Sequence, residues 1–183
     1  MTVRPVPPAE FADHVPALAG LLVDAVTGGA SLGFVTPFDA AAAARWWHEQ
    51  EPAVAAGDRL VWVCDDATGT AGTVSLALDR IPNGRHRAHV VKLMVRGTAR
   101  GRGLGRALLA TAERAAAAAG ATLLLLDTET GSAAEHLYRS AGWTRYGVVP
   151  GYATDPAGVP RECSFYRKAV SPPRTAAAPA AAR

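Results

Sequence analysis

Residues 88–120 read AHVVKLMVRGTARGRGLGRALLATAERAAAAAG, and the order of its parts decides the architecture. Ala88–Val95 is apolar enough for a strand, and Leu104 to about Ala119 has helical spacing until Gly120 closes it. Between them lies Arg100-Gly101-Arg102-Gly103-Leu104-Gly105. Three glycines let a backbone approach a ligand closely, and the first amides of the new helix point outward unpaired. Those amides and the helix dipole favour negative charge, so a diphosphate fits there. Arg100, Arg102 and Arg106 would add charge-assisted contacts. A P-loop would end in Gly-Lys-Ser/Thr, whereas Gly105 is followed by Arg106-Ala107. The dinucleotide fingerprint is a closer rival, because Asp127 ends the next strand where a ribose-binding acid would sit. Its glycines should follow the strand directly, however. Here RGTAR intervenes after Val95, and the spacing is GxGxG rather than GxGxxG.

At the start of the chain, Thr2–Val6 reads as a first strand stopped by Pro7 and Pro8. Glu10–Val26 carries Phe11, Val15, Leu18, Leu22 and Val26 at helical spacing. Asp39 looks like the N-cap of a second helix running to about Ala56. Leu60–Cys64 and Thr70–Leu78 form a hairpin around Asp65–Gly69. Beyond the long helix, Thr122–Leu126 is almost wholly apolar, as expected of a central strand buried on both faces. A short helix over Ser132–Ser140 follows, then strands near Thr144–Val149 and Glu162–Ala169. The order βααβββαβαββ predicts an α/β fold. It has one mixed sheet with helices on its faces, and the strands flanking Leu104–Ala119 are parallel by the crossover rule. A single domain over 1–170 is expected, with a disordered Pro/Ala-rich tail over 171–183.

Charge sharpens the picture. The chain has 183 residues and a net charge of only +3, yet Arg80 to Arg106 carries eight cations and no acid. That density points to an anionic partner, a phosphorylated cofactor, a nucleic acid or an acidic surface, and its place in the fold must decide which. The segment has no interleaved aromatics, which argues against nucleic acid. No apolar run is long enough for a membrane helix. Cys64 and Cys163 form no CxxC, and His14, His48, His86 and His136 show no metal-ligand spacing, so no metal site is expected.

The stretch Leu93–Gly105, LMVRGTARGRGLG, resembles the acetyl-CoA signature of the GNAT-superfamily N-acetyltransferases: Arg100, Gly103 and Gly105 match its Arg/Gln-x-x-Gly-x-Gly/Ala pattern, and Leu93 and Val95 match the preceding Leu-x-Val. AEHLYRSAGW resembles the family's final helix, with Tyr138 at its usual catalytic tyrosine. LDTETGSAAEHLY, Val149-Pro150-Gly151-Tyr152 and Phe165-Tyr166 look like the tabtoxin-resistance branch, whose members acetylate a small amine-bearing antimetabolite. Where the pattern has an asparagine, this chain has Gly131, with Ser132 as the substitute pantetheine contact.

The resemblance implies a mixed sheet of about seven strands with a splayed fourth and fifth, flanked by about four helices. It implies acetyl-CoA as cofactor, held by Leu93, Met94, Val95, Arg100, Gly101, Arg102, Gly103, Leu104, Gly105, Arg106, Ser132 and Tyr138. The Leu93 amide would stabilise the oxyanion, a contact typically contributing about 3 kcal/mol. Tyr138 would be the general acid for a thiolate whose thiol has a pKa of about 8.5. The amine must lose a proton before it attacks. His89, four residues before Leu93, is expected on the same strand face; Asp127, Glu129 and water are the other candidate bases. The function implied is direct attack in a ternary complex by a primary amine of a small molecule, an antibiotic or toxin. Protein or peptide acetylation and a non-catalytic acyl-CoA-binding module are the alternatives. No nucleic acid or membrane partner is expected, the setting is cytoplasmic, and the chain is a monomer or homodimer.

Overall fold

The computed structural model describes residues 2–171. The expected tail over 171–183, apart from Ser171, lies outside the described residues. Seven strands form one sheet: β1 (Val3–Pro5), β2 (Arg59–Asp66), β3 (Gly69–Leu78), β4 (Arg87–Val95), β5 (Leu123–Glu129), β6 (Thr144–Thr154) and β7 (Pro160–Ala169). Their order is β1-β2-β3-β4-β5-β7-β6, with β4 and β5 parallel and every other pair antiparallel. The helices are α1 (Phe11–Thr27), α2 (Ala40–His48), a short α3 (Glu51–Ala55), α4 (Leu104–Ala118) and α5 (Ala133–Ser140). The crossover through α4 explains the parallel pair.

Two apolar cores lie on opposite faces of the sheet. Along β2, Val61 and Val63 join Leu18, Leu22 and Trp47 under α1 and α2, while Trp62 and Cys64 join Leu108, Leu124 and Tyr166 under α4 and α5. The strands buried on both faces are therefore β2 and β3. That corrects the expectation for β5, where Leu124 and Leu126 are buried but Leu123 and Leu125 only partly so. The α1/α2 core takes its strand residues from β2 and β4 and none from β5.

The second helix also departs from expectation by breaking into α2 and α3. Pro52 has no N–H to give the His48 carbonyl, and the Gln50 side chain bonds the Trp46 carbonyl at 3.0 Å instead. Strand β6 runs past its expected end because a bulge between Val149 and Ala153 absorbs Pro150 and Gly151. An edge strand tolerates both. Among the described residues no helix is long and apolar enough to cross a membrane.

Candidate active site

The site grows from a failure of pairing. β4 and β5 share register only over Arg87↔Leu123, Ala88↔Leu124 and His89↔Leu125. Past His89 they diverge, and a cleft of about 800 Å³ opens between the rest of β4 and Asp127–Glu129. Leu93, Met94 and Val95 form one wall; Ser132 at the N-cap of α5, Leu137 and Tyr138 of that helix and Cys163 of β7 contribute to the other.

A bulge shapes the β4 wall. Ser75 pairs with Val91, but Thr73 pairs with Met94, so Val74 faces two residues of β4. Lys92 sits in the bulge with φ +52°. The extra residue resets the alternation: Ala88, Val90, Leu93 and Val95 pack toward the α4 core, and Met94 packs toward α1. His89 therefore lies on the face opposite Leu93, contrary to the alternation expected from sequence. Its Nε2 is 3.7 Å from Asp79, and it does not line the cleft.

At one end the cleft meets the turn into α4. Gly101 and Gly103 have φ +74° and +78°, conformations that a side chain strains, and a Cβ built on either would meet open space. Gly103 is the N-cap, and among the described residues no side chain caps the helix, whose first residues Leu104, Gly105 and Arg106 line the cleft. A Cβ at Gly105 would come within 3.1 Å of Leu137, so this glycine lets α4 approach α5. The turn is braced by the Gly97 N–H donating to Asp24 Oδ2 at 2.9 Å and by Arg100 Nε donating to the Val95 carbonyl at 3.2 Å.

The arginine-rich stretch divides once folded. Arg80 pairs with Asp58, Arg87 with Asp79 at 2.8 Å and Arg96 with Asp66 at 2.8 Å. These acids lie outside the Arg80–Arg106 run, Asp79 at its very edge, so the uninterrupted positive run in sequence is not a bare positive surface. Hydrogen bonds from Thr68 and Arg96 hold the Asp66 carboxyl well below the usual carboxylate range. Arg102 lies 3.6 Å from Asp66, outside the cleft lining, and Arg106 donates to Ser140 Oγ at 2.7 Å. Of the three loop arginines, Arg100 and Arg106 line the cleft.

Tyr138 is 6% exposed, with its ring between Trp143 and Tyr166. Among the described residues its hydroxyl has no hydrogen-bond partner. Burial pushes its pKa up, and the charge of Asp127 adds to the effect. Asp127 is exposed at the end of β5. The Cys163 thiol, 3.2 Å from the Thr128 carbonyl and 3.7 Å from Asp127 Oδ2, is pushed up to about 11 by burial and then by Asp127. A thiol so protonated is no nucleophile near neutral pH.

Ser132 has a structural task that sequence alone did not show. Its hydroxyl caps α5 by accepting from Glu135 N–H at 3.1 Å. Gly131 has φ +79° and donates its N–H to Glu135 Oε2 at 2.6 Å; Tyr166 donates to Oε1 at 2.7 Å. Burial opposes the charge on Glu135, but the Gly131, Tyr166 and Ser164 hydrogen bonds and Arg145 outweigh it and hold the carboxyl below its ordinary pKa. Glu135 escaped the sequence reading, although Ser-x-x-Glu ahead of a helix is a capping-box signal. Lys92 escaped it too: its backbone conformation depends on a cross-strand count.

Residues 57–145 match the family model described as the acetyltransferase (GNAT) domain. The fold is similar to that of a ribosomal-protein-alanine N-acetyltransferase from Brucella melitensis, with TM-score 0.73 and 24% identity over 93% of this chain and 100% of that one. A putative acetyltransferase from Salmonella typhimurium with its cofactor acetyl-CoA gives TM-score 0.73 and 22% identity over 100% and 99% of the two chains. A phosphinothricin acetyltransferase from Sinorhizobium meliloti in complex with acetyl-CoA gives TM-score 0.78 and 17% identity over 93% and 88%.

Proposed function

We propose that the chain, which over residues 57–145 matches the acetyltransferase (GNAT) domain, moves an acetyl group from acetyl-CoA to the primary amine of a small molecule within a ternary complex. It is an acetyl-CoA-dependent N-acetyltransferase. The observation that carries the reading is the cleft between diverging β4 and β5, ending at two left-handed glycines and an uncapped helix start. Open space beside Gly101 and Gly103 fits a diphosphate laid on the backbone.

The donor supplies an acyl group activated as a thioester, whose carbonyl an amine attacks as the thiolate leaves. Leading amides of Gly103–Arg106 would hold the diphosphate, with Gly101 giving the backbone its approach and Arg100 and Arg106, which line the cleft, supplying positive charge, while Arg102 lies beside Asp66 outside the lining. Leu93, Met94 and Val95 offer the cleft an edge that β5 leaves unpaired, and the Leu93 N–H would donate to the thioester carbonyl oxygen of a bound donor. Ser132 lines the pantetheine path while capping α5. Tyr138 stays protonated and is a weaker acid than a thiol of pKa about 8.5. Its hydroxyl therefore stabilises the departing sulfur chiefly by donating a hydrogen bond. Asp127 is the favoured proton acceptor for the amine, directly or through water, because it lines the cleft. Glu129 lies one β5 alternation beyond it; His89 is set aside by its position.

Small-molecule acceptors of the tabtoxin-resistance kind, amine-bearing antimetabolites or antibiotics, are favoured by Tyr152. The Pro150-Gly151 bulge precedes this residue of the Val149–Tyr152 segment, and Tyr152 lines the cleft. Titrating acetyl-CoA into a thermal melt, with desulfo-CoA and NAD as controls, tests the reading. Binding to the native state alone stabilises by about 2.7 kcal/mol at a hundredfold excess over Kd. A shift with acetyl-CoA and none with NAD is expected; no shift with acetyl-CoA removes the reading.

A further inference from the structure

On β4 ahead of Leu93, Lys92 lines the cleft, and a second cation, Arg59, lies behind it against the same Trp46 ring. Lys92 is the only non-glycine among the described residues with a positive φ. Its Nζ donates to the Leu32 carbonyl at 2.7 Å and lies 5.1 Å and 4.7 Å from the ring centroids of Phe34 and Trp46. The Arg59 guanidinium is 5.8 Å from the same Trp46 ring, and its Nε and Nη1 are buried without a hydrogen-bond partner. Among the described residues neither cation has a carboxylate at ion-pair distance.

This arrangement is costly. Half-buried charges are ordinarily paired, and like charges side by side repel. The strain shows in Lys92, whose pKa is lowered to about 8 by burial and then by Arg59, against a raising influence of Asp127. Paying in both desolvation and a left-handed backbone for an unbalanced cation makes sense where a ligand brings the missing charge. Lys92 lines the same cleft as Asp127. One end of the acceptor space is thus positive and aromatic, and the wall across it is negative.

Resting on the acetyltransferase reading, we propose that this end is an anion subsite: Lys92, backed by Arg59, Phe34 and Trp46, takes a carboxylate of the acceptor while Asp127 faces its amine, so the acceptor is an amino acid rather than a simple amine. The two charges of a zwitterion would then fix its orientation, with the amine turned toward the thioester.

The subsite can be read without knowing the acceptor's side chain. N-acetylglycine and its uncharged amide are titrated against the protein saturated with CoA at constant ionic strength, following tryptophan fluorescence. N-acetylglycine is expected to bind about tenfold more tightly than the amide. Lys92→Met should erase that preference, and so should Lys92→Gly, whose backbone accepts the positive φ without strain. Both variants should keep the thermal shift with acetyl-CoA. Equal binding of the two probes, no binding of either to tens of millimolar, or a preference that survives in both variants overturns the subsite. Loss of the acetyl-CoA shift in the wild-type protein instead overturns the functional reading, while selective N-acetylglycine binding would still support the subsite.

Discussion

Tyr138 keeps its proton throughout the working pH range, because burial and then Asp127 push its pKa up. Removing only the hydroxyl tests its part in turnover while the ring goes on packing against Trp143 and Tyr166. Tyr138→Phe is expected to lower kcat by about a hundredfold, the scale of losing one hydrogen bond of about 1.5–3 kcal/mol to a charged group. The acetyl-CoA Kd should stay nearly constant. Steady-state kinetics beside a direct binding titration separates the two, and an unchanged kcat would remove Tyr138 from the chemistry. The wild-type kcat profile should show no titration of this hydroxyl at neutral pH.

Helix α5 carries Tyr138 and Leu137 to the cleft, and its N-terminus is fixed by Ser132 and by Glu135, which is 6% exposed. The Glu135 carboxyl lies below its ordinary pKa of 4.5 in the native state. As pH falls the unfolded chain takes up the proton first. Glu135 therefore contributes stability that is full above about pH 4.5 and is lost as pH drops through the lower native value. Glu135→Gln should cost about 1–3 kcal/mol at neutral pH, the usual penalty for breaking a buried charge-assisted network. Chemical denaturation across pH should show wild type and variant converging below the carboxylate range; parallel curves would mean the charge itself is immaterial. The elements differ in how legible they were. The glycine turn, the α5 helix and the Asp127 position follow from local spacing, so sequence carried them. The Lys92 bulge depends on counting residues against β3, and the one-sided burial of β5 depends on which strands α1 and α2 cover. Neither quantity exists in a single strand's sequence, which is why His89 was placed on the wrong face of β4.

Two cores grip one sheet, and α4 joins the cleft turn to the one that holds Leu108, Leu124 and Tyr166. Leu108 is fully buried, and its Cδ1 lies 2.9 Å from where a Cβ on Gly72 would sit, so α4 packs directly on the β3 backbone. Leu108→Ala should therefore cost about 2–5 kcal/mol of global stability, read as a shifted denaturation midpoint with the m-value kept. A cost below about 1 kcal/mol would mean the site collapses around the smaller side chain. Strand order was the least legible feature, because β7 inserts between β5 and β6 and no pattern in the sequence announces it. That insertion bears on how the chain is made. Synthesis at roughly 5–20 residues per second leaves β5 waiting for its neighbour β7 for about 2–8 seconds. During that interval the edge beside Leu123–Glu129 has no strand to complete it, and the wall bearing Asp127 is not yet backed by Phe165. The newborn chain cannot shelter this edge by binding its donor, because the donor's cleft is finished last, and such an edge is what chaperones and neighbouring nascent chains meet first.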